Sequence, residues 1–174
     1  TSGKGPTTHS FTVCIDGKQK VIKKKTFIAT GNSYELFGET LNDQECLGIF
    51  NFKSRTVRER IVGEQVNKTY IVDSPILGFQ NRGSINDNEE NNFFDVVSGN
   101  ANNNKVKFEG IHVNNFYGTY TLGPLLIRNP HLTDKIVKDI CEENNYPYKD
   151  ITDTTDYIAY QENLKIFNVK RDEN

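Results

Sequence analysis

The sequence contains no methionine and only three cysteines, Cys14, Cys46 and Cys141. An odd number of cysteines, with no two-residue gap between neighbours, fits neither a disulfide framework nor a zinc site. We therefore interpret all three as reduced, mostly buried thiols of a cytoplasmic protein. Because methionine is absent and the chain begins at Thr1, we expect that it does not begin at a native start.

Long apolar runs and an excess of positive charge are also missing. No run approaches the roughly 18 apolar residues of a membrane span, and the first residues lack the basic-then-apolar order of a signal peptide. Lys+Arg number 21 against 23 Asp+Glu, with a net charge of -2, which argues against a nucleic-acid-binding protein. The local basic run from Lys18 to Lys25 is predicted to be the solvated face of a helix or turn.

Residues 27–38 (FIATGNSYELFG) have the pattern of a buried strand that passes through a tight turn into a helix. An apolar run at 27–29 is followed by turn residues at 30–33 and by a helical face that Gly38 closes. In α/β enzymes, a turn of this kind holds a nucleophile above the carboxyl ends of the strands. No nucleophile stands at the apex of this elbow.

Three further segments follow in order: residues 47–52 (LGIFNF), 74–81 (SPILGFQN) and 110–132 (GIHVNNFYGTYTLGPLLIRNPHL). Together with the elbow, they resemble class I glutamine amidotransferase domains of the cobyric acid synthase type, and most closely the amidotransferase subunit of lipid II isoglutaminyl synthase. The family's elbow looks like Ala-Ile-Cys-Gly-Gly-Tyr-Gln-Leu-Leu-Gly, and its histidine motif looks like Gly-Thr-Tyr-Leu-His-Gly-Pro. Aligned with this chain, the two motifs cover residues 29–38 and 118–124.

The resemblance implies that the family's reaction has been lost. Gly31 stands where the family has its cysteine, and Leu122 stands where it has its histidine. A glutamine amidotransferase needs a thiolate to attack the glutamine amide and a base to activate that thiolate. Glycine adopts positive φ without steric cost, so Gly31 suits a preserved turn without the reaction. We therefore predict a catalytically degenerate domain, with no catalytic residues, metal or cofactor.

By resemblance, this domain is a non-catalytic or regulatory subunit whose partner is a Mur ligase-like, ATP-dependent protein. A preserved pocket for glutamine or a related small molecule is a further expectation. The candidate pocket residues are Gly31, Asn32, Ser33, Asn81, Arg82, Tyr120 and Leu122.

Two alternatives remain open. One is an active amidotransferase that uses Ser33 or Cys46 as its nucleophile, and the other is an interaction module unrelated to glutamine. His112 and His131 lie near the histidine motif in sequence, but neither occupies its histidine position.

The implied fold is a single α/β domain, residues 1–174, with a flavodoxin-like, mostly parallel sheet and flanking helices. Its N-terminal part is expected to be short or missing, because only about thirty residues precede the elbow, where the family has βα units. Gly3 to Gly5 is similar to the family's glycine-rich turn. The segment from Cys14 to Lys25 is then predicted to be the helix or connector that leads to the elbow strand.

Downstream of the elbow, apolar alternation and turn residues define the predicted elements. Strands are predicted at Leu47–Lys53, Arg58–Gln65, Thr69–Asp73, Leu77–Gln80, Lys105–Glu109 and Asn115–Tyr120. Asn129 is predicted to cap a helix that ends near Asn144, and a C-terminal helix at 154–170 is predicted to dock on the domain. The asparagine clusters at 86–92 and 100–104 are predicted to form surface loops.

Overall fold

The computed structural model describes residues 11–15, 18–22, 25–122, 124–150 and 155–172, so the glycine-rich segment Gly3–Gly5 lies outside the described residues. The strands are β1 (Phe11–Ile15), β2 (Lys18–Ile22), β3 (Phe27–Thr30), β4 (Thr40–Leu41), β5 (Gln44–Glu45), β6 (Lys53–Lys68), β7 (Ile76–Asn86), β8 (Phe94–Ser98), β9 (Phe108–Glu109), β10 (Ile111–Val113) and β11 (Phe116–Thr119). The α-helices are α1 (Leu125–Arg128), α2 (Pro130–Asn144) and α3 (Thr155–Asp172). Residues Gly31–Phe37 form a 3-10 helix, which we call the elbow helix.

The described strands form mixed sheets rather than the mostly parallel sheet that the sequence predicted. β1 and β2 form a hairpin, and β3 joins β11 and β10 in a second sheet. The largest sheet has the order β5-β4-β6-β8-β9, and β7 also pairs with β6. Within the described part of the chain, only β3–β11 and β4–β6 are parallel pairs. Short connections explain the difference, because a parallel pair needs a crossover of about a dozen residues or more.

The longest pair of strands, β6 and β7, is antiparallel and contains a large bulge. Thr56 lies opposite Ser84, whereas Ile61 lies opposite Arg82. Residues 57–60 of β6 therefore face Gly83 alone. Such an insertion bends the strand and redirects its side chains.

Most predicted elements are present, but their boundaries differ. The predicted strands 58–65 and 77–80 lie within β6 and β7, and 115–120 contains β11. Residues 47–52 form no strand, because their main chain bonds back to the elbow helix, as from Leu47 N–H to the Leu36 carbonyl at 2.9 Å.

Two other segments also correct the sequence-based assignment. Residues 69–73 form no strand and instead connect β6 to β7. The predicted strand at 105–109 is reduced to β9, its last two residues. The segment 14–25, predicted to be a helix or connector, contributes to the β1–β2 hairpin instead.

The ends and the buried face of helix α2 follow from signals in its sequence. Pro130 occupies its first turn, and Asn145 ends it with φ 56° in the left-handed region. Leu132 and Ile136 are buried on its inner face. Asn129 is the N-cap residue, as predicted, but its side chain makes no capping hydrogen bond. It donates instead to the Leu77 and Leu125 carbonyls and accepts from Leu77 N–H.

Apolar side chains pack in three clusters. The cluster that we call the α2 core contains Ile76, Phe93, Phe94, Tyr117, Leu125, Leu132 and Ile136. The elbow core contains Ala29, Tyr34, Phe50, Phe52, Ile111, Phe116 and Tyr120. In the third cluster, Tyr160 of α3 packs with Val66 and Leu77, and Leu164 and Phe167 border it.

Several asparagines of the two predicted surface loops are buried instead of exposed. Asn86, Asn88 and Asn102 are each at most 2% exposed. The Asn102 side chain accepts a hydrogen bond from Gly110 N–H at 2.9 Å and donates to the Asn88 carbonyl at 3.3 Å. These amides supply main-chain partners that an irregular segment lacks.

Two remaining expectations concern thiols and membrane spans. Cys46 and Cys141 are free and only partly buried, so the prediction of mostly buried thiols is not met at these positions. None of the helices in the described ranges is long and apolar enough to cross a membrane.

Candidate functional site: the elbow and the histidine-motif segment

The elbow has the backbone geometry of a turn that presents one residue at its apex. β3 ends at Thr30, and the elbow helix begins at once with Gly31. Gly31 has φ +62°, in the left-handed region, where a residue with a β-carbon is strained. The glycine therefore relieves the strain that a cysteine at this position would carry.

The segment after β11 runs beside the elbow. β11 is parallel to β3, with Thr119 opposite Thr30, so both strands end at the same edge of their sheet. A β-carbon built on Gly31 would lie 2.9 Å from Cδ2 of Leu122. The two positions predicted to align with the family's cysteine and histidine are therefore neighbours, and they hold a glycine and a leucine.

Ser33 and Cys46, the two alternative nucleophiles, are in settings that do not suit that role. The Ser33 hydroxyl is exposed and donates to the Thr30 carbonyl at 2.7 Å. Cys46 is partly exposed, and its Sγ lies 3.8 Å from the Gln44 carbonyl. Neither contact activates a nucleophile, which needs a base within hydrogen-bond reach.

The two histidines interact with aromatic side chains away from the elbow. The His112 ring stacks on Tyr117 with a centroid separation of 4.3 Å, and its Nδ1 is hydrogen-bonded to the Tyr70 hydroxyl. Burial lowers the pKa of His112 to about 4. His131 packs against Tyr160 at 4.7 Å, and burial lowers its pKa too. Both rings contribute to packing.

A buried carboxylate that the sequence analysis missed connects the elbow to two other strands. Glu35 of the elbow helix is 1% exposed and accepts hydrogen bonds from the Tyr120 hydroxyl at 2.8 Å and from the Ser84 hydroxyl. The Asn32 amide donates to Ser84 Oγ at 3.0 Å. Glu35 occupies the glutamine position of the family's elbow motif, so that substitution was the available signal.

Arg82 and Asn81 are adjacent in sequence but lie on opposite faces of β7. The Arg82 guanidinium is 1% exposed, lies 3.9 Å above the Tyr120 ring, and donates to the carbonyls of Asn102 at 3.2 Å and Ala101. Asn81 instead accepts a hydrogen bond from Arg60 Nε at 2.9 Å on an exposed face. The structure therefore brings Arg82 and Tyr120 together and leaves Asn81 out.

A second buried carboxylate holds the segment that leads to Leu122. Glu109 accepts hydrogen bonds from the Thr119 hydroxyl and from Tyr120 N–H, both at 2.6 Å. Burial raises the pKa of Glu109 to about 7, although these hydrogen bonds and Arg82 act in the opposite direction. No sequence pattern separated this glutamate from surface glutamates.

The side chains near the elbow thus form a structural network of hydrogen bonds. Asn32, Arg82 and Tyr120 belong to this network, whereas Gly31 and Leu122 are neighbours of each other and Ser33 is exposed. In the described ranges, no group of three or more His, Cys, Asp and Glu side chains could hold a metal ion.

The chain shares sequence similarity with known bacterial proteins. No protein-family model matches the chain. The chain is similar to subunits of glutamine-hydrolysing synthases. It is 33% identical over 105 residues to the lipid II isoglutaminyl synthase (glutamine-hydrolyzing) subunit GatD of Staphylococcus aureus strain N315. It is 31% identical over 97 residues to the subunit of the same name from Streptococcus pneumoniae strain ATCC BAA-255 / R6.

These matches are partial on both sides. They cover 60% and 53% of this chain, but only 43% and 37% of the two relatives. The chain therefore matches less than half the length of either relative.

Proposed function

We propose that this chain is a catalytically degenerate glutamine amidotransferase-like domain that acts as a non-catalytic or regulatory subunit. The observation that supports the proposal is the contact between Gly31, at φ +62°, and Leu122. The geometry of a nucleophile turn is preserved, whereas both side chains that the family uses for chemistry are absent. Loss of a nucleophile or its base lowers turnover by about a millionfold.

The partner that fits this proposal is a Mur ligase-like, ATP-dependent protein, as the family resemblance implies. The names of the two relatives describe each as one subunit of a synthase. A non-catalytic subunit can stabilise its partner, because it binds the partner's folded form and not the unfolded form. We further propose that this domain has the family's flavodoxin-like sheet, to which the parallel pair β3–β11 belongs, and that it acts in the cytoplasm.

The first experiment measures ammonia release from glutamine by the wild-type chain and by a Gly31→Cys/Leu122→His double variant. We expect the wild type to be at least about a thousandfold slower than an enzyme of typical turnover. We expect the double variant to release ammonia. Robust release by the wild type would contradict the proposal.

A thiol-alkylation assay tests the pairing of the two positions without relying on turnover. A cysteine beside a histidine has a lowered pKa and reacts faster near neutral pH. Gly48→Cys is the matched control, because Gly48 also has positive φ, +58°, but a β-carbon there meets no atom within 4 Å. We expect fast alkylation only when Leu122→His accompanies Gly31→Cys. An equal rate in Gly31→Cys alone would show that position 122 does not act on position 31.

Calorimetry with glutamine tests whether the chain has kept a glutamine-binding pocket. Binding by the wild type would favour a preserved sensing pocket around Arg82 and Tyr120. Absence of binding leaves the subunit role and the glutamine-independent interaction module, which co-purification with a ligase-like partner then distinguishes.

A further inference from the structure

A groove of about 640 Å³ lies on the side of β6 and β7 where the bulge is located. Its floor and walls come from β6, β7, β8 and the segment 99–107. Neither Gly31 nor Leu122 is among its lining residues. The volume is within the range of about 300–1,000 Å³ that is typical of small-molecule sites.

The bulge explains why a groove forms here. Four residues of β6, 57–60, face Gly83 alone, so β6 arches away from β7 at this point. Arg55, Val57, Glu59 and Ile61 alternate along the arch and line the groove. Bulges redirect side chains in this way, often beside functional sites.

The groove combines an aliphatic wall with positive charge. Its apolar lining includes Val57, Ile61, Ile85, Val96, Val97 and Val106. Its charged lining residues are Arg55, Arg82 and Lys107, against one acid, Glu59. Among the residues that the structure describes, none of these three cations forms an ion pair.

Arg82 is the strongest indication of a ligand. Its side chain is 1% exposed, and its Nε has no hydrogen-bond partner among the described residues. A buried guanidinium without a paired carboxylate is costly. Glu35 and Glu109 accept their hydrogen bonds from other groups, Tyr120, Ser84 and Thr119 among them, so Glu109 interacts with Arg82 electrostatically but without a hydrogen bond or ion pair.

A neighbouring groove of about 450 Å³ provides an internal contrast. Its basic residues, Lys53, Arg55 and Lys105, are matched by the three acids Asp43, Asp87 and Glu89. Ile85 is its one aliphatic lining residue among those described. Because its positive and negative side chains are equal in number, that groove has no charge preference for an anion.

We propose that the groove beside the bulge binds a small amphipathic anion, with a phosphate or carboxylate directed at Arg55, Lys107 and Arg82 and a short aliphatic body against the valines. Gly31 and Leu122 do not line this groove, although Arg82 also belongs to the network near the elbow. The inference does not depend on the loss of catalysis at the elbow. Its occupant is recognised by charge and apolar area together.

Calorimetry of the full chain with hexyl phosphate, heptanoate, inorganic phosphate and hexanol tests the proposal. We expect hexyl phosphate or heptanoate to bind with a Kd below about 1 mM, and inorganic phosphate and hexanol to bind at least about tenfold more weakly. Comparison of the two anions identifies the preferred head group. Absence of binding by both anions, or equal binding of hexanol, would overturn the proposal.

Two variants locate the site. Arg55→Gln is expected to weaken binding of the preferred anion about tenfold or more. Arg58→Gln is the matched control, because Arg58 belongs to the same bulge but is not among the lining residues. Val97→Asp, at a position 37% exposed on the groove wall, is expected to weaken binding through charge repulsion. Equal losses in Arg55→Gln and Arg58→Gln would place binding elsewhere and refute the assignment.

Discussion

The α2 core and the hydrogen-bond network around Glu35 and Arg82 are buried to the same degree, but they are built from opposite chemistry. Leu132 and Ile76 in the α2 core are 0% exposed, and Glu35 and Arg82 in the network are 1% exposed. The α2 core gains stability from apolar area removed from water. The network gains little from burial and depends on finding a partner for each polar atom. Equal burial therefore does not mean equal tolerance of substitution.

The α2 core should show the largest loss when a side chain is truncated. We expect Leu132→Ala to lower the free energy of unfolding by about 2–5 kcal/mol, because it leaves a cavity in a packed interior. Urea unfolding, followed by circular dichroism, measures the loss. Ile127→Ala is the control on the adjacent helix, where the side chain is 78% exposed; its effect should stay below about 0.5 kcal/mol. Equal losses in both variants would contradict this account of the core.

The contrast between these two regions also explains how much could be predicted from the sequence. α2 was predictable because its apolar residues recur at helical spacing and Pro130 marks its start. The elbow was predictable because a strand pattern, turn residues and a closing glycine follow one another, and the family motif fixed Gly31 and Leu122 as partners. The contact between these two residues was implied by the motifs and not by any periodicity.

The network was not predictable for a physical reason. From Gln80 to the end of β7, the buried side chains are the polar Gln80, Arg82, Ser84 and Asn86, whereas the buried residues at its start, Ile76 and Leu77, are apolar. Polar residues in a strand normally indicate a solvent face. The antiparallel pairing of β6 with β7 was missed because the family pattern implied parallel strands. The bulge has no sequence signature, so the groove could not be foreseen.

The hydrogen-bond network should make stability depend on pH through Glu109. In the folded protein, burial raises the pKa of Glu109 from 4.5 to about 7. The folded state therefore binds more protons than the unfolded state between about pH 4.5 and 7. The stabilisation from the raised pKa of Glu109 is complete below about pH 4.5 and is lost as the pH rises through about 7. We expect Glu109→Gln to raise the free energy of unfolding at pH 8 by up to about 3 kcal/mol.

Unfolding measured from pH 4 to 8 in both proteins isolates this effect. Because burial lowers the pKa of His112 to about 4, that residue stabilises the protein as pH rises and opposes the wild-type slope. The difference between wild type and Glu109→Gln removes the shared histidine contribution. A difference that is constant across this pH range would contradict the role assigned to Glu109.

Buried asparagines should behave like the network and unlike surface loops. Asn102→Ala removes the acceptor for Gly110 N–H and the donor to the Asn88 carbonyl. Two buried main-chain groups lose their partners, so we expect a loss of about 2 kcal/mol. Asn104→Ala, at an exposed position, is the matched control and should change stability by less than about 0.5 kcal/mol. Equal effects would indicate that the asparagine clusters act only as surface loops.

The smallest effects are expected at the two residues that could have served as alternative nucleophiles. Ser33 is exposed, and its hydroxyl makes one hydrogen bond to the Thr30 carbonyl, while Cys46 is partly exposed. We expect Ser33→Ala and Cys46→Ala each to change stability by less than about 0.5 kcal/mol. Neither should change ammonia release if the domain is catalytically degenerate, as proposed. If either substitution abolished measurable release, the elbow would hold an unorthodox active site, and the contact of Gly31 with Leu122 would no longer argue for a silent domain.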